Sequence, residues 1–418
     1  MAAAGGGRVT LDDVLARRRV VMPGMRLAYR EPLRIVSGEG VWLTDAGGDR
    51  YLDAYNNVAH VGHGRPEVVE AIARQAAVLN TNTRYLVDGV VAYAERIARL
   101  LPDPLEVVWF ANSGSEANDL AWRIARAVTG REGMIVTRNA YHGSTHLTMA
   151  TSPEELGHDR LPPWVATIGP PVAGSEPGVE AAVARLAAAG HLPAALACDT
   201  VFSSDGIFEP PAGWLAAAAG EVRTAGGLFV ADEVQAGFGR VGPRLWGFAG
   251  HGVVPDIVTL GKPMGNGHPL AAVVTTRRIA DAFRADGYYF STFAGNPVSA
   301  AAGMAVLDVM EGDGLPARAS RVGALLHREL AGRHPSIREV RGPGSFVGVD
   351  LGTGRLAQEV MEGMRARRVL VGRTGGGGEV LKIRPPLVFG EEHAGLLLAA
   401  FDGALGDQTS GSGSSSSV

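Results

Sequence analysis

Short apolar runs alternate with amphipathic helical patterns through most of this chain, and this alternation limits the folds that it can adopt. Strands that are apolar on both faces and alternate with helices are typical of βαβ units and of a mostly parallel sheet with helices on both faces. The predicted strands are residues 107–110, 134–137, 194–198, 228–231, 257–260 and 271–275. The predicted helices around them are residues 66–79, 90–101, 116–128, 179–189 and 214–225. The sequence therefore predicts an α/β fold.

The pattern changes near residue 300, where a long predicted helix at 297–310 leads into shorter helices and strands. This change predicts a second, smaller α+β domain. The segment YLDAYNNVAH (51–60) resembles a chain entering a core from outside, so we expect the N-terminal segment to join the small domain. The glycine- and serine-rich end predicts disorder. The predicted divisions are residues 1–60 (N-terminal segment), 61–298 (large domain), 299–405 (small domain) and 406–418 (disordered tail).

Composition and charge indicate a class of protein but no substrate. The 418 residues carry a formal net charge of −4, which gives no electrostatic reason to bind nucleic acid or an anionic membrane. Cys198 is the single cysteine, so an internal disulfide is excluded and a reducing compartment is favoured. The N-terminus lacks the apolar stretch of a secretory signal, and no apolar run approaches about 18 residues. We therefore expect a cytoplasmic enzyme with no nucleic-acid partner and no membrane partner.

The sequence NSGSEAN (112–118) lies at the junction between a predicted strand and a predicted helix. Gly114 and Ser115 would stand at the helix N-terminus, where free backbone N–H groups and the helix dipole attract anions. Serine and glycine are also ordinary helix-capping residues. The stretch therefore predicts either a phosphate-binding turn or a plain helix cap, and by itself it does not separate the two.

Two ionisable residues follow strands of the predicted sheet. Asp232 follows the strand at 228–231, and Lys262 follows the strand at 257–260 within TLGKPMGNGHP. Ligands of open α/β sheets bind at the carboxyl ends of the strands. A helix N-terminus, a carboxylate and a lysine there suit a phosphorylated, nitrogen-containing aromatic aldehyde, because lysine can form a Schiff base and aspartate can pair with a ring nitrogen. Taken singly, Asp232 could be a helix cap or surface acid, and Lys262 a solvated loop residue.

Three other motifs are weaker. GFGRVG (237–242) fits a dinucleotide-binding pattern, but Pro243 and the following WGFAG interrupt the helix that such a site requires. Lys262 is followed by proline instead of serine or threonine, so its loop is not a nucleotide-binding phosphate loop. His142 and His146 are four residues apart, but no third metal ligand is evident. We therefore assign no metal and interpret His142 as a loop residue or a residue that lines the site.

Motif by motif, the chain resembles the class III aminotransferases, which are pyridoxal-phosphate enzymes of fold type I. The resemblance extends from about residue 30 to about residue 400 and is strongest to the branch that includes alanine–glyoxylate aminotransferase 2 and the phospho-lyases. The motifs that carry it are NSGSEAN, YHG (141–143), DEVQ (232–235), GFGR (237–240), DIVTLGKPMGNGHP (256–269) and TFAGNP (292–297). The resemblance implies a large cofactor-binding domain, a smaller domain and pyridoxal 5′-phosphate as cofactor.

The resemblance also implies roles for single residues. Lys262 would form the Schiff base, and Asp232 would bind the pyridine nitrogen. Thr292 would reach the cofactor phosphate of the neighbouring subunit, which implies at least a homodimer, and Arg384 in KIRPPL would bind the substrate carboxylate. The other implied cofactor contacts are Gly114 and Ser115 at the phosphate, Tyr141 and Val234 on the two ring faces, Gln235 at the ring 3-oxygen, and His142 in the lining.

The leading expectation is an aminotransferase that moves an amino group from an amino acid or amine donor to a keto acid or aldehyde through Lys262. One departure from the family bears on the substrate. Many members carry a glutamate that can neutralise the carboxylate-binding arginine, and Ser204 stands in its place here. Without that acid, Arg384 would be an unpaired cation that demands an anionic group on the substrate.

The alternative is a phospho-lyase that eliminates phosphate from O-phosphoethanolamine or a phosphohydroxylysine-like substrate. The stretches NVAHVGHGRPEVVEAI (57–72) and VVTTRRIADAF (273–283) are especially similar to that branch. The cofactor and lysine would be the same, but the products would be an aldehyde, ammonia and phosphate. A substrate phosphate would satisfy Arg384, with Tyr29 or Arg30 as further contacts. An aminomutase or racemase, and a cofactor-binding module without turnover, are also open.

Overall fold

The computed structural model describes residues 9–411 except residues 173 and 176. The helices are α1 (Leu11–Val21), α2 (Pro66–Val78), α3 (Asp88–Arg99), α4 (Gly114–Thr129), α5 (His146–Ala150), α6 (Pro153–Leu156), α7 (Val179–Ala188), α8 (Trp214–Thr224), α9 (Arg277–Asp286), α10 (Pro297–Gly312), α11 (Leu315–Leu330), α12 (Gly354–Ala366) and α13 (Glu391–Gly411). The strands are β1 (Ile35–Glu39), β2 (Trp42–Asp45), β3 (Arg50–Asp53), β4 (Leu105–Ala111), β5 (Gly133–Thr137), β6 (Val165–Ile168), β7 (Pro193–Asp199), β8 (Leu228–Asp232), β9 (Ile257–Leu260), β10 (Ala271–Thr276), β11 (Glu339–Arg341), β12 (Val347–Asp350), β13 (Val369–Leu370), β14 (Gly372–Thr374) and β15 (Val380–Ile383).

The largest sheet has seven strands in the order β4-β10-β9-β8-β7-β5-β6. Its pairs from β9 to β6 are parallel, and β10 runs antiparallel to both β4 and β9. Successive residues of one strand face opposite sides of a sheet. Met134 and Val136 of β5 pack in a cluster with α4, whereas Ile135 packs with α7 and α8. The predicted α/β fold, a mostly parallel sheet with helices on both faces, is therefore confirmed.

Three loops meet at one edge of this sheet because of the strand directions. β8 and β9 are parallel, so their C-terminal ends, at Asp232 and just before Lys262, lie at the same edge. β10 reverses the direction once and β4 reverses it again, so β4 also ends there. α4 begins at Gly114, directly after β4. A helix N-terminus, a carboxylate and a lysine are thereby brought to one edge.

Two four-stranded sheets lie outside the large sheet, with the orders β1-β2-β3-β13 and β11-β12-β15-β14. β3 pairs in parallel with β13 through Leu52 and Val369, so the N-terminal strands form a sheet with a C-terminal strand. Leu52 also shares a hydrophobic cluster with Leu381 and with side chains of α11, α12 and α13. This pairing joins the N-terminal segment to the C-terminal part, while the domain boundaries themselves remain a prediction.

The C-terminal end differs from its prediction. We predicted a disordered tail at 406–418, but α13 continues to Gly411. Leu405 is buried in the cluster that α13 shares with α12. A glycine inside a helix costs only about 1 kcal/mol relative to alanine, which packing of an apolar face outweighs. The rest of the tail (412–418) and the first residues (1–8) lie outside the described part of the chain.

The helix α1 was not predicted, although its N-terminal sequence carries a capping signal. The Oγ1 of Thr10 accepts the backbone N–H of Asp13 at 3.2 Å, and the carboxylate of Asp13 accepts the backbone N–H of Thr10 at 2.9 Å. Such a capping box satisfies two N–H groups that the helix itself cannot bond. Within the described residues, neither α1 nor any other helix is long and apolar enough to cross a membrane.

Candidate active site

A cleft of about 300 Å³ opens where the loops after β4, β8 and β9 meet. A cavity of this size with a few convergent polar groups is typical of a small-molecule site. The predicted site residues that line it are Gly114, Ser115, Tyr141, His142, Asp232, Val234, Gln235 and Lys262. The structure thus brings together all the residues to which the sequence assigned contacts with a cofactor of the same subunit.

Asp232 is held as an anion in this cleft, where it is 4% exposed. Its Oδ2 accepts hydrogen bonds from Nδ2 of Asn118 at 2.8 Å and from Nδ1 of His142 at 2.7 Å. Its Oδ1 accepts the backbone N–H of Val234 at 3.0 Å. Burial favours the neutral acid, but these donors outweigh burial and hold the pKa of Asp232 below its ordinary value. The carboxylate is therefore ready to hold a proton on a ring nitrogen.

His142 and Asn118 position this carboxylate. Because Nδ1 of His142 bonds to an anion, this nitrogen carries the proton, and Nε2 is buried without a protein partner. The ring of Trp122 packs edge-on against His142, with the ring centroids 5.4 Å apart. The backbone carbonyl of His142 accepts the second bond from Nδ2 of Asn118, at 2.8 Å. Asn118 is the last residue of NSGSEAN, but its contact with Asp232 was not predicted.

Lys262 lies in the loop that joins β9 to β10, and its partly buried side chain lines the cleft. Its ammonium has no carboxylate within 4.0 Å among the described residues. Burial, followed by the nearby positive charge of Arg384, lowers the pKa of Lys262 from 10.5 to about 8. A lysine with such a pKa is partly neutral near pH 7, and the neutral amine attacks a carbonyl or accepts a proton.

The N-terminus of α4 fits both interpretations that the sequence left open. Ser113 is the N-cap, and its Oγ accepts the backbone N–H of Glu116 at 3.2 Å. A helix cannot bond its own first four N–H groups, and Ser113 satisfies one of them. Gly114 and Ser115 follow in the cleft wall, where the remaining N–H groups and the helix dipole favour an anion.

Glycine is required at two positions of the cleft wall. A Cβ on Gly114 would lie 2.7 Å from Cγ1 of Val234. A Cβ on Gly143, whose φ is +143°, would lie 2.6 Å from the Oγ of Ser115. Both distances are too short for a side chain, so glycine lets the start of α4 pack against Val234 and the loop at Gly143 pack against Ser115.

Arg384 stands directly after β15, near the cleft, and is 8% exposed. Its Nη1 donates to Oε1 of Gln235, and its guanidinium lies over the ring of Tyr55, with Cζ 4.5 Å from the ring centroid. None of the described carboxylates lies within 4.0 Å of it, and its Nε is buried without a partner. A buried cation without a counter-ion is costly, so this end of the site favours an anionic group.

The model of the family described as aminotransferase class-III matches residues 27–405. The chain belongs to the class III aminotransferase family. It is 41% identical over 424 residues to an alanine–glyoxylate aminotransferase 2-like protein of Drosophila melanogaster. This match covers 93% of this chain and 86% of that protein. It is 35% identical to ethanolamine-phosphate phospho-lyase homolog 1 of Caenorhabditis elegans, covering 94% of this chain and 93% of that protein. A solved phospholyase from Arthrobacter in complex with phosphoethanolamine is 44% identical, with a TM-score of 0.90, covering 94% of this chain and 99% of that one.

Pyridoxal phosphate is the cofactor of this class III enzyme, and the cleft fits it. Lys262 has no competing ion pair, and the ionised Asp232 retains acceptor capacity for a ring N–H. The N-terminus of α4 suits the phosphate, and the glycines at 114 and 143 let the walls of the cleft pack closely against Val234 and Ser115. When bound, the cofactor supplies an electron sink for the carbon next to the substrate nitrogen.

Besides Arg384, three predicted residues lie outside the lining of the cleft of this class III enzyme. Thr292 is exposed before α10, so its role at a neighbouring subunit stays a prediction. The hydroxyl of Tyr29 donates to the backbone carbonyl of Val371 at 2.8 Å and lines a separate cavity. Arg30 is a surface residue that bonds Glu359 through both Nη atoms, at 3.1 and 2.8 Å. Tyr29 and Arg30 line that cavity together with Tyr55, whose ring contacts Arg384, so their contacts with the substrate stay a prediction.

A second buried cation, which was not predicted, lies beside Arg384. Lys382 is 6% exposed, and its Nζ donates to the backbone carbonyl of Ser203 at 3.0 Å. The Oγ of Ser203 accepts from Nε2 of Gln235 at 2.8 Å, and Gln235 in turn accepts from Arg384. Burial, then Arg384, lowers the pKa of Lys382 to about 7. The signal was present in KIRPPL, because residues two apart on a strand share a face.

Proposed function

We propose that this enzyme is a pyridoxal-phosphate-dependent phospho-lyase that releases inorganic phosphate from a small phosphorylated amine such as O-phosphoethanolamine. The observation that carries the proposal is the buried pair Lys382 and Arg384, neither of which has a carboxylate within 4.0 Å in the described part of the chain. A phosphate dianion balances Arg384 together with a protonated Lys382, whereas a carboxylate balances only one of the two. The similarity to the Arthrobacter phospholyase in complex with phosphoethanolamine supports this substrate class.

Each residue of the site would have a separate role in such an elimination. Lys262 takes the proton from the carbon next to the substrate nitrogen, as its lowered pKa of about 8 favours. Asp232 keeps the ring nitrogen protonated, so the negative charge that develops on this carbon is stabilised. Lys382 and Arg384 stabilise the phosphate while its bond to the substrate carbon breaks. Addition of water then gives an aldehyde and ammonia beside the phosphate.

Transamination is the second candidate, in which the amino group moves from an amino acid or amine to a keto acid or aldehyde. The identity of 41% to an alanine–glyoxylate aminotransferase 2-like protein favours it. The guanidinium of Arg384 is also suited to a substrate carboxylate, which it can bind with two parallel hydrogen bonds. Both candidates use Lys262 and Asp232 in the same way, so the substrate end decides between them.

The deciding experiment mixes purified holoenzyme with O-phosphoethanolamine, and separately with alanine, in the absence of any keto-acid acceptor. Free phosphate, ammonia and the cofactor absorbance are followed together. A phospho-lyase releases phosphate and ammonia in equal amounts while the cofactor spectrum returns to its starting form. Conversion of the cofactor to its amine form without phosphate release would refute the proposal and support transamination. The Lys262→Ala variant controls for release that does not depend on the enzyme.

We further propose that the working form is a homodimer in which Thr292 completes the site of the neighbouring subunit. Large apolar side chains are exposed on the isolated chain beside Thr292, with Phe293 73% exposed, and at Leu86, which is 97% exposed. Exposed apolar surface of this kind is typical of a protein interface. Mixing inactive Thr292→Ala and Lys262→Ala subunits tests the proposal, because a hybrid dimer would regain one site with both native residues. Absence of any recovered activity after subunit exchange would refute it.

A further inference from the structure

The side-chain amide of Gln235 joins three segments at the substrate end of the site. Gln235 lines the cleft three residues after Asp232. Its Oε1 accepts hydrogen bonds from Nη1 of Arg384 and from Nδ2 of Asn57, the latter at 3.2 Å. Its Nε2 donates to the Oγ of Ser203 at 2.8 Å. The amide is therefore bonded at both its oxygen and its nitrogen.

Arg384 determines which way this amide points. A guanidinium has N–H donors and no acceptor, so the atom of Gln235 that faces Arg384 must be its oxygen. This oxygen accepts only from donors, so Asn57 presents its NH2 group to it. In the opposite orientation, the NH2 group of Gln235 would face the donors of both neighbours. The bond from Asn57 therefore helps to hold the oxygen of Gln235 on Arg384.

Asn57 is buried at this end of the site. Its residue is 2% exposed, although it lies in the connection between β3 and α2, 178 positions from Gln235. A buried amide is costly unless its polar groups are hydrogen-bonded, and the bond to Gln235 meets part of this need. The fold thus holds Asn57 in a place where it contacts Gln235.

The contacts of the Arg384 guanidinium hold it in place without neutralising its charge. One contact is the amide oxygen of Gln235, and another is the ring of Tyr55, whose centroid is 4.5 Å from Cζ. An amide and an aromatic ring carry no net charge. In the described part of the chain, no carboxylate lies within 4.0 Å of Arg384. The neutralising glutamate that is absent at Ser204 is therefore replaced by an amide, which leaves the charge of the arginine for the substrate.

Asn57 is close enough to Arg384 for a charge at this position to matter. Two donors that bond one oxygen lie within about 6 Å of each other, because each is about 3 Å from that oxygen. An opposite charge at roughly 4–6 Å stabilises an ionised group by about tenfold or more in an equilibrium constant. A carboxylate in place of the Asn57 amide would therefore compete with an anionic substrate for Arg384. The amide makes the same contact without this competition.

We propose that Asn57 is a positioning residue that sets the specificity of the substrate end. It fixes Gln235 as a neutral partner of Arg384, so the site selects substrates that carry an anionic group. Asn57 acts through Gln235 and needs no contact of its own with the substrate. The inference rests on the proposed function for the identity of the anionic group as a phosphate, and it applies equally to a carboxylate.

The test compares the holoenzymes of the wild type, Asn57→Asp and Asn57→Ala. Sulfate is the anionic probe, and isothermal calorimetry measures its affinity. Ethylamine is the probe without an anionic group, and its binding is followed through the cofactor absorbance. Asn57→Asp should bind sulfate roughly tenfold or more weakly than the wild type, and ethylamine at least as tightly. Asn57→Ala removes the orienting bond but adds no charge, so its sulfate affinity should fall by about threefold or less.

The choice of variants separates charge from packing. Aspartate has nearly the shape of asparagine, so a purely structural role of Asn57 would make Asn57→Asp milder than Asn57→Ala. Asn56→Asp is the matched control, since within the described residues its side chain makes no hydrogen bond to Gln235, and it should weaken sulfate binding less. Gln235→Glu places a carboxylate directly against Arg384 and should weaken sulfate binding at least as much as Asn57→Asp. It therefore tests the neutral partner even if Asn57→Asp does not fold.

Three rankings of sulfate affinity would overturn the inference. They are a value for Asn57→Asp within about threefold of the wild type, an equal or larger loss in Asn57→Ala, and an equal loss in Asn56→Asp. Unchanged sulfate binding by Arg384→Met would also overturn it, because the anion would then be held elsewhere. The cofactor absorbance of each variant checks that the site is intact. Phosphate release from O-phosphoethanolamine is a separate measurement, so its absence together with the expected sulfate ranking would refute the proposed function and leave this inference standing.

Discussion

Lys262 of the apoenzyme should react with pyridoxal phosphate at a rate that is half-maximal near pH 8. Only the neutral amine attacks an aldehyde, and burial together with Arg384 lowers the pKa of Lys262 from 10.5 to about 8. Each pKa unit changes the ratio of neutral to charged amine tenfold. At pH 7 the neutral fraction of Lys262 should therefore be about 300-fold larger than that of an ordinary lysine.

The assay mixes apoenzyme with dilute pyridoxal phosphate in a stopped-flow spectrophotometer from about pH 6 to pH 10. Nα-acetyl-lysine, measured in parallel, corrects for the titrations of pyridoxal phosphate itself. Arg384→Met removes the nearby positive charge and should move the midpoint of the Lys262 profile to higher pH. An enzyme profile that parallels the free amine, still rising at pH 10, would refute the reasoning. An unshifted midpoint in Arg384→Met would remove Arg384 as a cause of the lowered pKa.

Four further predictions follow from the site and the core. Asp232→Asn should lower kcat about 10- to 150-fold, the value of one charge-assisted hydrogen bond, and a kcat near that of the wild type would contradict the role of the carboxylate. Gly114→Ala should weaken cofactor binding in a fluorescence titration, whereas Gly220→Ala, where an added Cβ meets nothing within 4 Å, should not. Lys382→Met should reduce kcat/KM for O-phosphoethanolamine about 10-fold or more, with a smaller effect on alanine; equal losses would argue against phosphate recognition. Leu405→Ala should lower the free energy of unfolding by about 2–5 kcal/mol in chemical denaturation, and no change would mean that α13 does not pack there.

The large sheet could be predicted from the sequence because its strands are short, apolar and separated by amphipathic helices. Local pattern also determines the ends of β8 and β9, and parallel pairing then places Asp232 and Lys262 at one edge. Gly114 and Ser115 reach the same edge because β4 runs in the direction of β9. The cofactor side of the site therefore follows from periodicity and strand direction.

The substrate side depends on contacts between distant segments, which periodicity does not contain. Lys382 meets the carbonyl of Ser203 across 179 positions, and Glu154 meets Ser204 across 50. The spacing in KIRPPL puts Lys382 on the same face as Arg384, but no local pattern identifies the distant segments that Lys382 and Glu154 contact. Composition was also misleading at the end of the chain, where burial of Leu405 stabilises a helix that glycine and serine content argued against.

The antiparallel strand β10 has a consequence for efforts to redesign this enzyme. Lys262 lies in a ten-residue connection, 261–270, whose two sides are joined by the pairing of Leu260 with Ala272. Lys262 lies only two residues after Leu260, so an insertion or deletion between them would shift the lysine away from Asp232 at the end of the neighbouring strand. The opposite wall of the site, at 199–206 and around Lys382, is built from separate segments. Changes of substrate range should therefore be sought in that wall, with the lysine-bearing hairpin kept as a fixed reference.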